Sequence, residues 1–164
     1  MEAGMNHFDP EGRAIMVDVS AKADTARTAV AQGEIRVSRQ VLETVSGRTA
    51  AKGDVLGVAR VAGIMAAKRT AELIPLCHPL ALSHLSVDFT VLEETCAIRA
   101  RCTVKLTGQT GVEMEALTGV TVALLTIYDM CKGMDRSMEL GNIRLVYKDG
   151  GKSGVFCREE EKYD

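Results

Sequence analysis

The sequence predicts an α+β fold, an antiparallel sheet with helices packed on one face, from three observations. Two neighbouring runs alternate between apolar and polar residues: Leu85, Val87, Phe89 and Val91 share one side of the first, and Cys96, Ile98, Ala100, Cys102, Val104 and Leu106 one side of the second. A period of two is that of half-buried strands, and these are joined through Glu93, Glu94 and Thr95 as a hairpin. Helical patterns stand before and after the hairpin, and β-rich runs stand outside those.

Each element follows in order. Residues 29–37 end in the strand-forming run EIRV, and Ser38 is placed to cap a short helix, RQVLETVS, that stops at Gly47. After KGD, residues 55–73 carry Val55, Val58, Ala62 and Met65 at helical spacing and predict one long helix whose small residues suit close packing. The hairpin comes next, then a helix within residues 111–135, then a last strand at IRLVY, residues 143–147. The order β-α-β-β-α-β is the split β-α-β, or ferredoxin-like, arrangement. Arg99, Arg101, Thr103 and Lys105 line the polar side of one hairpin strand, and Ser86, Asp88 and Thr90 that of its mate, so that sheet face meets solvent or another subunit.

With 164 residues, 46% of them hydrophobic, the chain suffices for one catalytic-size domain over 1–164, with flexible tails at about 1–12 and 158–164. The 20 basic and 22 acidic residues nearly balance, which excludes a broad field for nucleic acid or a membrane surface. No apolar run is expected to span a bilayer, and MEAGMNHFDPEGR lacks the apolar core of a signal peptide, so the cytoplasm is the expected compartment. Five cysteines without a CxxC pair predict reduced thiols rather than a disulfide framework or a zinc ribbon.

GVEMEALTGVTVALLTIYDMCKGMD carries Glu113 and Glu115 at one end, Asp129 and Lys132 at the other, and no charge between. A helix apolar all round is buried all round, and one sheet cannot cover it. Glu113 and Lys132 lie about 28 Å apart along its axis, too far to meet on one small molecule within one chain. Antiparallel packing against a second copy, with Gly119 permitting close approach, would bring the glutamate end of one chain to the Asp-Lys end of the other. The alternative is that these charges only complement the helix dipole.

In IPLCHPL, Pro79 holds His78 extended beside Cys77, so a rigid turn presents an imidazole suited to acid-base work near neutral pH. Adjacent Cys77 and His78 without a second spaced pair do not make a metal site. KDGGKSG is not a P-loop, because Val146 stands where the motif needs glycine. Its Gly150, Gly151 and Gly154 with Lys148 and Lys152 still suit phosphate oxygens, or form a solvated loop. Lys52, in AKGD before a helix, is a surface lysine unless that helix end faces a cleft.

Taken together, MVDVSAK, KGDV, IPLCHPL, TGVEMEAL, IYDMCK and GGKSG, in order across residues 16–154, closely resemble the MoaC family, the cyclic pyranopterin monophosphate synthases of molybdenum cofactor biosynthesis. The resemblance implies a ferredoxin-like fold, a hexamer built as a trimer of dimers, and active sites at the dimer interface. It implies conversion of 3′,8-cyclo-7,8-dihydro-GTP, a small-molecule substrate, to cyclic pyranopterin monophosphate with release of pyrophosphate. No redox cofactor or resident metal is implied, and a divalent ion accompanying the triphosphate is not evident from the sequence. By resemblance, Lys52, Asp129 and Lys132 fall on catalytic positions, and Asp18, Cys77, His78, Glu113, Met114, Glu115, Lys148 and Lys152 on substrate-binding ones. Gly57 and Gly133 stand where the family pattern leads one to expect alanine. The rival reading is a non-catalytic nucleotide-binding regulatory module built on the same lysine-glycine loop.

Overall fold

The alternation in the hairpin becomes a regular register: β2 (His84–Leu92) runs antiparallel to β3 (Ala97–Gly108), with His84 opposite Lys105, Asp88 opposite Arg101 and Leu92 opposite Ala97. The structure, a computed structural model, describes residues 7–51 and 53–158. Around the hairpin stand β1 (Thr25–Arg36), α1 (Arg39–Ser46), α2 (Val55–Ala67), α3 (Thr70–Leu73), α4 (Glu113–Cys131), β4 (Glu139–Asp149) and β5 (Phe156–Cys157). The sheet order is β2-β3-β1-β4-β5, with antiparallel pairing throughout. Its first four strands have the ferredoxin-like order, and β5 adds a two-residue edge to it.

Two helix ends are set by side chains visible in the sequence. Ser38 accepts the Val41 amide at 3.3 Å, and Asp54 accepts the Gly57 amide at 2.9 Å, so α1 and α2 start at capped positions. Gly57 stands against that cap, since a Cβ there would lie 2.4 Å from Asp54 Oδ2.

Other expectations need correction. The single helix over 55–73 is two: α2 ends at Ala67, and Arg69 leaves helical geometry with φ −115° and ψ 16°, its amide turning to the Ala66 carbonyl at 2.9 Å. β1 starts at Thr25, and β4 extends well beyond 143–147 in both directions. Register shifts between Val30 and Ala31 and between Gln32 and Glu34, with Asn142 at a φ of 53°, break the β4 alternation that would have revealed it. Of the two expected tails, residues 1–6 and 159–164 lie outside the described residues. From residue 7 the chain makes a small turn closed by a Phe8–Ala14 bridge, and the Arg158 amide donates to the Val146 carbonyl at 2.9 Å.

The core lies between the helices and one face of the sheet. Ala29, Ala31 and Ile35 of β1 and Ile98, Ala100, Cys102 and Val104 of β3 meet Ala116, Val120, Ala123, Leu124 and Ile127 of α4. α2 lies beside α4, and the two approach closest at Gly63 and Gly119, where a Cβ on Gly63 would come within 2.8 Å of the Gly119 carbonyl. Within one chain α4 is not covered all round, because Leu125 remains 54% exposed, and on α2 Val61 (56%) and Met65 (54%) are exposed as well. At 19 residues α4 is long and apolar enough for a bilayer span, which corrects the expectation that no run is. Its packing on β1, β3 and α2 makes it the core helix instead.

Candidate active site

Two adjoining clefts open around the start of α4. The first, about 490 Å³, is walled by Val17, Val19, Cys77, His78, Met114 and Glu115. The second, about 720 Å³, is walled by Thr25, Arg27, Gln109, Lys148, Lys152 and Ser153. Lys22, Thr110, Gly111 and Glu113 line both, so the clefts meet at Glu113. Each has the size of a small-molecule site.

The chain positions these groups by simple means. α4 begins without a side-chain cap at Val112, and its first turn carries Glu113 and Glu115, as the helix dipole favours. Glu113 folds back over Gly111, where an added Cβ would meet its carboxylate. Glu115 is only 4% exposed. Burial pushes its carboxyl above the usual range, its own backbone amide opposes this, and the Glu113 charge reinforces it. Burial, then the Glu115 charge, likewise pushes up the Cys77 thiol. Two carboxyls side by side at the cleft offer acceptor oxygens to a polar ligand edge.

That buried carboxyl has a testable consequence for stability. A raised folded-state pKa means that ionisation opposes folding, a cost absent in acid that grows as pH rises past the ordinary value of 4.5. Glu115→Gln is therefore expected to melt higher than the parent at neutral pH, with the gap closing toward pH 4.5. Thermal unfolding across that range checks it, and a pH-independent gap would contradict it.

The lysine-glycine loop follows β4. Gly150 and Gly151 have φ of 97° and 80°, which side-chain-bearing residues rarely adopt, and Cβ atoms there would meet the Ala26 carbonyl and the Arg27 guanidinium. Lys148 Nζ bonds to Ser153 Oγ within the loop. Arg27 donates to the carbonyls of Gly108 and Gln109 at 3.4 and 3.3 Å, holding its guanidinium at the second cleft. Lys22, Arg27, Lys148 and Lys152 thus give that cleft a cationic lining suited to phosphate oxygens. Lys22 and Arg27 escaped the sequence reading, since a lysine in a coil and an arginine in a strand look like solvated surface. The one available signal was Lys22 inside MVDVSAK. Among the described residues, no three His, Cys, Asp or Glu side chains converge as a metal-holding group.

The sequence-predicted residues divide into five groups. Cys77, His78, Glu113, Met114 and Glu115 come together in the first cleft, and Lys148 and Lys152 join Glu113 at the second. Asp18 is exposed and accepts the amide and hydroxyl of Ser20 at 2.9 and 2.7 Å, between Val17 and Val19 that face the cleft. Asp129 and Lys132 pair at 2.7 Å at the far end of α4, where both are exposed. Helix geometry leaves about 28 Å between Glu113 and Lys132, so one chain does not unite them. Lys52 lies outside the described residues.

Fold and clefts together define an α+β protein with two adjoining clefts of small-molecule size, one lined by carboxyls and the other by cations. The MoaC family model matches residues 16–151. The chain belongs to the MoaC family. It is 59% identical over 159 residues to a cyclic pyranopterin monophosphate synthase of Clostridium botulinum, covering 97% of this chain and 100% of that one. A protein of the same name from Trichlorobacter lovleyi is 57% identical over 94% of this chain and 97% of its own. One from Heliobacterium modesticaldum is 58% identical over 95% and 98%.

Proposed function

We propose that this chain is a cyclic pyranopterin monophosphate synthase of molybdenum cofactor biosynthesis. It acts on 3′,8-cyclo-7,8-dihydro-GTP, rearranges the purine-derived rings into a pyranopterin, and releases pyrophosphate as the cyclic phosphate closes. The observation that carries the reading is the pair of clefts meeting at Glu113, with carboxyls on one side and Lys22, Arg27, Lys148 and Lys152 on the other. The carboxyls suit the N–H donors of a guanine-derived edge, and the cations suit a triphosphate and the charge that develops as pyrophosphate leaves. The conversion needs proton transfers and no redox cofactor. Lys132 and Lys52 supply acid-base groups, and Asp129, three residues before Lys132, orients it.

The site is completed by a second copy of the chain. Antiparallel packing of two α4 helices covers Leu125, Val61 and Met65 and carries Lys132 of each chain toward the Glu113 clefts of the other. Such dimers assemble as a trimer of dimers, in the cytoplasm.

Mass spectrometry of the cyclic dihydro-GTP after incubation with the purified protein tests the reading, with pyrophosphate assayed in parallel. Conversion with matching pyrophosphate is expected. Binding without conversion, with or without added magnesium, would overturn it in favour of a regulatory nucleotide-binding module.

A further inference from the structure

We infer that His78 is a positioning residue, a latch that holds residues 16–24 as a strap over the first cleft. The strap runs without regular structure from the bridge at Ala14 to the start of β1, and only Val17 and Val19 within it are partly buried. Its internal bonds are local: Asp18 accepts from Ser20, and the Lys22 amide donates to the Val19 carbonyl at 2.9 Å. Among the described residues, the hydrogen bond that ties it to the rest of the protein joins His78 Nε2 and the Val17 carbonyl oxygen at 2.8 Å, across 61 residues of sequence.

A carbonyl oxygen only accepts, so Nε2 carries the proton and donates it. Nε2 is thereby committed to the strap, and the neutral ring is the Nε2–H tautomer with its lone pair on Nδ1. His78 itself follows Cys77 on the turn fixed by Pro75 and Pro79, so the latch is mounted on a rigid element. The strap delivers Lys22 to the point where both clefts meet. Releasing it removes a cation from the anion-binding lining while leaving Glu113, Glu115 and the lysine-glycine loop in place. Through Val17, His78 thereby sets where Lys22 stands in that lining.

The activity arm of the test rests on the proposed synthase reading, whereas the structural arms need no substrate. His78→Ala is expected to raise KM about tenfold, with kcat falling less, and to speed amide exchange in residues 16–24 by about tenfold as the tie is lost. His78→Gln carries an N–H donor at nearly the same reach and is expected to recover both within about threefold. In the unsubstituted protein, nitrogen NMR of the imidazole should show protonation at Nε2, a measurement independent of whether variants fold. Protonation at Nδ1 alone in the neutral ring would overturn the latch. So would His78→Gln matching His78→Ala in lost turnover with the strap still protected in both, which would place His78 in proton transfer or direct binding. If turnover fails throughout but exchange and tautomer behave as stated, the latch stands and the synthase reading falls.

Discussion

Lys132→Ala is expected to lose at least about 100-fold in kcat, the scale of a missing acid-base group, while its melting temperature moves by no more than about 2 °C. The stability half follows from position. Lys132 is the C-terminal cap residue of α4, its side chain and that of Asp129 are half exposed or more, and their 2.7 Å pair is of the i,i+3 kind that contributes little in water. The helix dipole accounts for the cation at this end but not for Asp129 beside it, and a role completed by a second chain accounts for both. Lys132→Arg separates charge from proton transfer. It keeps the cation that suits a helix C-terminus, but a guanidinium does not give up its proton in the working range, so turnover is expected to stay near the alanine level. Near-normal turnover in Lys132→Ala, with a lowered melting temperature, would make the residue structural.

The largest effect on stability is expected at the α2–α4 contact. A Cβ on Gly63 would lie 2.8 Å from the Gly119 carbonyl oxygen, 3.1 Å from Ala123 Cβ and 3.2 Å from Val87 Cγ2. The first of these is backbone and cannot rotate away, so the helices must separate, and overpacking of this kind costs about 2–3 kcal/mol. Replacing glycine within a helix returns about 1 kcal/mol. Gly63→Ala should therefore lower the melting temperature by about 2–8 °C, given 2–4 °C per kcal/mol for chains of this size. Gly133→Ala is the control, because a Cβ there meets nothing within 4 Å, and it should cost no stability. Equal melting temperatures for the two variants would mean that the helices slide apart freely, contrary to the close packing described.

What the sequence disclosed follows from how local each cause is. The start of α1 was readable because Ser38 encodes it, and the hairpin because alternation survives along both β2 and β3. β4 was half hidden because its bulged pairing with β1 spoils the period of two, and the break after Ala67 is a backbone departure at Arg69, a residue type that carries no helix-stop signal. The site divides in the same way. Glu113, Glu115 and Lys132 stand out as charges bounding an apolar run, and the glycines beside Lys148 and Lys152 mark a loop. Arg27 joins the cleft only because β1 and the loop after β4 lie side by side. The His78 to Val17 bond spans 61 residues and leaves no trace in either segment.

The central claim is that each active site is built from two chains, with Glu113 from one and Lys132 from the other. It is tested most directly by mixing Glu113→Ala and Lys132→Ala proteins, each inactive alone, and measuring conversion of the cyclic dihydro-GTP after subunit exchange. In a mixed dimer one site loses both residues and the other keeps both, so a one-to-one mixture should regain about a quarter of the parental activity. No recovery despite demonstrated exchange would contradict a shared site.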